Sequence, residues 1–209
     1  MQTDSYLQLA DYRRQVFDNY ARVRESKLPP ETRWQHFRSD QDHLFKTHPQ
    51  TVLDPEQILQ FSGLRYYPYD PAYRFILPIE PLVDLPDVRI NLQDDGPIRL
   101  LPIGRISFEL FSEVYALTIY WFLGYGGGLF LPFKDLTNAA DTFAGGRYIL
   151  DTIKGADLGR EGDHLVIDFN FVYNPSCAYN ARWQCPLPPP ENQLPVPIPV
   201  GEMRFIGSA

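Results

Sequence analysis

Proline sets the tightest limit on what this chain can become. Twenty of its 209 residues are proline, about twice the roughly 5% average. They are clustered, with seven between Pro68 and Pro102 and eight between Pro175 and Pro199. Each ring fixes its own φ and removes a backbone donor, so neither region suits a long helix. Extended segments and turns must carry most of the fold, and helices are expected ahead of the first cluster.

There the pattern is helical. Leu9, Tyr12, Val16, Tyr20 and Val23 recur at three- and four-residue steps, predicting a helix over 5–25 with one apolar stripe. Asp4 or Ser5 can cap it, and Pro29-Pro30 ends it. Two short helices are expected over 31–38 and 40–46. A third starts at Asp54, where Asp54-Pro55-Glu56-Gln57 combines an acceptor cap, proline at the first helical position and Gln at the capping-box position.

After Gly63 the period changes to two. Strands are predicted over 73–77, 88–92, 98–101, 105–111, 114–123, 129–133, 147–153 and 165–172, with hairpin-length connections at Asp94-Asp95-Gly96 and Ser112-Glu113. Gly124–Gly128 reads as a tight turn. Strands without intervening helices favour an antiparallel sheet. The expected fold is mainly β (α+β with a helical N-terminal arm), an antiparallel β-barrel or β-sandwich closed by a proline-rich C-terminal strap. Residues 1–62 form the helical arm, packed on a β-rich unit over 63–209, within one structural domain. Alternation places Ile106, Phe108 and Leu110 on one face, and Val166, Asp168 and Asn170 together on another. If the strands over 147–153 and 165–172 pair, Arg147 and Asp168 meet.

Several function classes are disfavoured. With 26 acidic against 19 basic residues the net charge is −7, and no Lys/Arg cluster offers the phosphate neutralisation that nucleic-acid binding needs. The amino terminus lacks a signal-peptide pattern. Residues 114–133 are uncharged over a length sufficient for a bilayer, but glycines 124 and 126–128 and Pro132 divide them into two strands. No membrane association is expected, and the expected location is cytoplasmic. Cys177 and Cys185 are too far apart for a zinc knuckle, and the histidines (36, 43, 48 and 164) are remote, so no metal site is expected. Gly124–Gly128 lacks the lysine and hydroxyl residue of a P-loop, and no GxSxG elbow occurs. No cofactor is expected.

Four blocks carry a resemblance: GLRYYPYDPAYRF (63–75), GGGLFLPFKDLT (126–137), AGGRYILD (144–151) and DFNFVYNPSCAYNARWQCPLPPPENQLPV (168–196). They resemble the bacterial and archaeal domain of unknown function 1684 over about residues 38–201. The resemblance implies no established activity. Asp135, Arg147, Asp168, Asn174, Cys177, Cys185, Glu191 and Asn192 fall on the family's motif positions. The loop Thr137 to Phe143, TNAADTF, departs from the family's usual wording resembling Ser-Gly-Lys-Glu-Thr-Tyr.

Two functions are consistent with these groups. In the first, a cleft at the barrel mouth holds a small anionic metabolite. Asp135, Arg147, Asn170, Asn174 and Asn192 bind it, the guanidinium of Arg147 matching a carboxylate or phosphate. Asp168 or Glu191 acts as general base and Cys177 as a possible nucleophile in hydrolysis or isomerisation. In the second, a non-catalytic interaction module, the same polar residues only fasten the proline strap. Cys177 and Cys185 are in either case a candidate disulfide or redox pair, and inert packing is the commoner fate of such thiols.

Overall fold

The computed structural model describes residues 3–82, 86–92 and 96–207. The arm consists of α1 (Thr3–Glu25), α2 (Pro30–Thr47) and α3 (Pro55–Gln60). Where two short helices were expected, α2 runs unbroken, because Ser39 costs an exposed helix little and buried Trp34, Phe37, Gln41, Leu44 and Phe45 hold one continuous face. The capping box of α3 forms as its sequence predicts: Asp54 accepts from the Gln57 amide and the Gln57 side chain accepts from the Asp54 amide.

The described residues form eight strands: β1 (Arg74–Leu77), β2 (Val88–Leu92), β3 (Gly96–Leu110), β4 (Glu113–Leu123), β5 (Gly128–Phe133), β6 (Arg147–Asp151), β7 (Arg160–Glu161) and β8 (His164–Asp168). They form two antiparallel sheets, of order β2-β3-β4-β5-β6 and β1-β8-β7. Among the described residues the sheets do not close into a barrel. The two sheets instead share one core, in which Ile106, Phe108, Leu117 and Ile119 meet Ile167 and Phe169.

The predicted break at Pro102 is a shift of register between Pro102 and Gly104 inside the single long strand β3, since a bulge absorbs a residue that cannot donate. At Gly104 a Cβ would lie 2.2 Å from Ile79 Cγ2, so glycine allows the segment after β1 to approach β3, where Glu80 bridges Arg105. The β3–β4 hairpin turns on Phe111 and Ser112, both at positive φ, and the glycine-rich segment connects β4 to β5. Of the Asp94-Asp95-Gly96 turn, Asp94 and Asp95 lie outside the described residues.

The alternation expected to continue through Val172 stops at Asp168. Its Oδ1 accepts from the Asn170 amide at 3.0 Å, and Phe169–Phe171 turn into a 3₁₀ helix. This side chain-to-backbone bond competes with the ladder at the strand's end. Asp168 and Asn170 do come together, at 2.8 Å from Asn170 Nδ2 to Asp168 Oδ1, but through that turn. β6 and β8 belong to different sheets, so the expected meeting of Arg147 and Asp168 does not occur.

The arm docks on this same corner. Trp34 Nε1 donates to the Asn170 carbonyl at 2.9 Å, and Phe37 lies between Tyr20 and Phe171 at centroid distances of 4.9 and 5.1 Å.

Candidate functional site

The carboxyl-terminal segment behaves as a strap. Leu194, Val196, Ile198 and Val200 are buried while Pro195, Pro197 and Pro199 are exposed. This is the alternation of an extended chain, with the donor-less residues turned outward. Backbone bonds tie it to the segment after β5: the Lys134 amide donates to the Asn192 carbonyl at 2.9 Å, the Leu194 amide to Lys134 at 2.8 Å and the Leu136 amide to Val196 at 3.3 Å.

Three of the sequence-selected residues fasten this strap. Arg147 is fully buried; its Nη2 donates to Asp135 Oδ2 at 2.9 Å and to the Ile198 carbonyl at 2.8 Å, and its Nη1 to Val200 at 2.6 Å and Glu202 at 3.2 Å. Burial pulls its pKa down while Asp135 opposes that. Asp135 Oδ1 also accepts the amides of Thr137 at 2.7 Å and Ile198 at 3.2 Å. Asn192 spans β4 and β5, accepting from the Thr118 amide at 2.8 Å and donating to the carbonyls of Thr118 at 2.9 Å and Pro132 at 2.8 Å. Neighbouring Glu191 is exposed and accepts from the Tyr120 hydroxyl.

Asp168 and Asn170 sit elsewhere, at the arm's docking corner. Asn170 pairs with the backbone of Asp70, accepting its amide and donating to its carbonyl, both at 2.8 Å. Burial raises the pKa of Asp168, opposed by Asn170. Asp168 lines a recess of about 140 Å³ with Arg24, Arg33, Arg74, Arg160 and Glu161, below the usual volume of an organic-ligand pocket. Asp135, Arg147, Asp168 and Glu191 therefore do not converge on one cleft.

A different cavity, of about 370 Å³, lies between the arm and the β-rich unit. Its roof is the apolar stripe of α1 (Leu9, Tyr12, Val16, Tyr20), and its floor includes Tyr173, Asn174, Tyr179, Cys185 and Glu202. Asn174 and Cys185 alone of the sequence-selected residues line it. Glu202 is the one carboxyl among the described residues that line it. Its Oε2 accepts the Asn174 amide at 3.0 Å, and its Oε1 accepts Asn174 Nδ2 at 3.0 Å and the Tyr179 hydroxyl. Burial nevertheless raises its pKa to about 7, with Tyr179 and Asn174 acting to lower it. Burial likewise pushes Tyr12 up to about 12.

Three of the residues that line the cavity also carry a buried polar atom without a partner. Among the described residues, Gln41 Oε1, Tyr173 Oη and Asn174 Oδ1 are buried and make no hydrogen bond. All three residues line this one cavity. The Asn174 amide orientation is fixed, because its Nδ2 faces two acceptors, Glu202 Oε1 and the Met203 carbonyl at 2.8 Å. Arg13 and Lys154 also line the cavity.

The sequence gives little warning of Glu202, Gln41 or Tyr173 as site residues. Glu202 sits in an unpatterned tail, and Gln41 reads as an ordinary polar helix position. The one available signal is that the stripe of α1 holds two tyrosines, whose hydroxyls need partners when buried.

The fold and site define an antiparallel β protein with an internal proline strap and a helical arm enclosing an aromatic cavity. The family described as "Protein of unknown function (DUF1684)" matches residues 59–203, and the chain belongs to that family. The match begins after the paired helices that roof the cavity. Among solved structures, the chain is similar to the solution NMR structure of an uncharacterized protein from gene locus rrnAC0354 of Haloarcula marismortui. Identity is 34%, with 83% of this chain and 93% of that chain covered, at a TM-score of 0.59. No curated protein matches. No helix of the described residues is long and apolar enough to cross a membrane.

Proposed function

We propose that this protein binds a small ring-bearing anionic metabolite in the cavity between the helical arm and the β-rich unit. The observation that carries this reading is that three residues lining one aromatic-walled space each hold a partnerless buried polar atom. Each such atom costs about 1–3 kcal/mol of folding stability, and native structures leave few of them. A ligand that donates to Gln41 Oε1 and Asn174 Oδ1 and pairs with Tyr173 Oη removes that cost. The tyrosine faces and Trp183 suit a flat ring, and Arg13 and Lys154 against the single carboxyl of Glu202 favour an anionic substituent. Should the bound molecule react, Glu202 is the group suited to exchange a proton near neutrality, as general acid–base work requires.

The test uses melting curves with a panel of ring-bearing carboxylates and phosphates. Binding raises the melting temperature with ligand concentration. Gln41→Leu and Tyr173→Phe remove an orphan atom each, so the free variants should match or exceed wild-type stability while losing the ligand response. If both variants are instead destabilised by more than about 1 kcal/mol, the atoms are already satisfied and the reading fails.

A second reading keeps a specific observation behind it: Asp135, Arg147 and Asn192 are all spent on the strap. It makes the protein a non-catalytic interaction module, and it predicts that no panel member shifts the melting curve.

A further inference from the structure

The loop between the two cysteines is anchored at both ends and narrow at its neck. Ser176–Ala178 form a 3₁₀ turn, in which the Ala178 amide bonds the Pro175 carbonyl at 2.9 Å and the Tyr179 amide bonds Ser176 at 3.2 Å. Asn180 then reverses the chain, its Oδ1 accepting the Arg182 amide at 3.0 Å and its carbonyl the Trp183 amide at 3.2 Å. Tyr179 holds one side by packing on Phe45 and Phe205, with centroids at 5.2 and 5.4 Å. The Tyr148 hydroxyl holds the other by donating to the Pro186 carbonyl at 2.6 Å.

This path returns Cys185 onto Cys177. The Cys177 amide donates to Cys185 Sγ at 3.4 Å, and each thiol shifts the ionisation of the other. Both are free and only partly buried, and Cys185 lines the arm–body cavity beside Trp183 and Lys154. A reactive thiol needs partial exposure and groups that favour the thiolate; an inert packed cysteine needs neither.

We propose that Cys177 and Cys185 form a dithiol–disulfide site that reacts with low-molecular-weight disulfides, Cys185 attacking and Cys177 resolving. This is independent of whether the cavity binds a metabolite. In the first step the Cys185 thiolate bonds one sulfur of the small disulfide and expels the other as a thiolate. In the second, Cys177 loses its proton to solvent and its sulfur attacks Cys185 Sγ, forming the internal disulfide and expelling the second small thiolate. The protein loses two electrons and two protons, and the small disulfide is reduced to two thiols.

The order of attack follows from the surroundings. The neighbouring Cys177 thiol, the amides of Cys177 and Ser176 and the Lys154 ammonium favour a charged Cys185 sulfur, lowering its pKa against the effect of burial. Cys177 is raised by the same pairing and by burial. Tyr148 and Tyr173 face the pair and stay protonated, each held well above the usual tyrosine range by its own burial. Closing the neck would fix the wall formed by Trp183, Gln184 and Cys185 without moving either anchor.

The test incubates reduced full-length protein with oxidised glutathione, quenches with acid and reads intact masses after alkylation. Wild type should end as a chain lacking two hydrogens and carrying no adduct. Cys177→Ser should stop with one glutathione on Cys185, and Cys185→Ser should react at least about ten-fold more slowly. The rate of adduct formation on Cys177→Ser should reach half its maximum below the ordinary thiol pKa of about 8.5. A wild-type chain that ends with two adducts, or with none and both thiols alkylated, overturns the proposal without recourse to any variant. Equal rates for the two serine variants overturn the assignment of Cys185 as the attacking thiol.

Discussion

Arg147→Met tests the claim that the strap is held by one buried guanidinium. Methionine fills most of the volume, so the loss isolates the polar clamp. The variant leaves Asp135 without its ion-pair partner at 2.9 Å and the carbonyls of Ile198, Val200 and, at a longer 3.2 Å, Glu202 without their donor. Breaking a buried pair by removing one member costs about 3–5 kcal/mol. Asp135 keeps the amides of Thr137 and Ile198, which puts this site near the lower figure, about 3 kcal/mol. The two most closely bonded of these carbonyls, those of Ile198 and Val200, add about 1 kcal/mol each. The sum, about 5 kcal/mol, approaches the whole stability of an ordinary domain, about 5–15 kcal/mol. In a chain of this length it should lower the melting temperature by about 10–20 °C. Urea unfolding of the two proteins measures the difference, and amide exchange at Leu136 and Leu194 should lose protection with it. Adding Asp135→Asn removes the stranded charge, so the double variant should be more stable than Arg147→Met alone. A single variant within about 1 kcal/mol of wild type would refute the clamp and return Arg147 to the pool of ligand-binding candidates.

Asn192→Ala removes three hydrogen bonds that join the strap to β4 and β5, and chemical denaturation should show a loss of about 2–4 kcal/mol; a change below 1 kcal/mol contradicts the assignment. Gly201 has φ +78°, and a Cβ there would lie 2.2 Å from Val172 Cγ2 and 2.7 Å from the Phe169 carbonyl. Gly201→Ala should therefore destabilise by more than about 2 kcal/mol, read from its urea midpoint. Glu202 has a folded pKa raised from 4.5 to about 7, so between those values the folded state binds the extra proton. Its contribution is fully present below pH 4.5 and is lost as pH rises to about 7, because stability falls with pH wherever the folded state holds more protons. Glu202→Gln should flatten that slope in urea midpoints taken across this window, and an unchanged slope would show that other groups cause it.

The local code of this chain was legible without a structure. The capping box at Asp54, the strand positions after Gly63 and the core face Ile106–Phe108–Leu110 depend on neighbours a few residues apart, which sequence periodicity reports directly. Asp135, Arg147 and Asn192 stand out through the family resemblance, on whose motif positions they fall, and as candidate ligand-binding residues. Their partners were not legible, because Arg147 reaches carbonyls more than fifty positions away, and no local pattern encodes such a meeting. Asp168 shows a nearer limit: alternation argued for a strand through Val172, and a side chain-to-backbone bond ended it.

Proline content, alternation and the missing motifs determined an antiparallel β-rich protein with a helical arm, a carboxyl-terminal strap and no recognisable nucleotide or hydrolase signature. Only the tertiary structure decided that the sheets remain open, that the motif residues divide between a strap clamp and a docking corner, and that the cavity lies under the arm. The reason is physical. Local structure follows from torsions and hydrogen bonds within a few residues. A cavity is the space left when distant segments pack, here from Leu9 to Glu202, and its chemistry belongs to none of them alone.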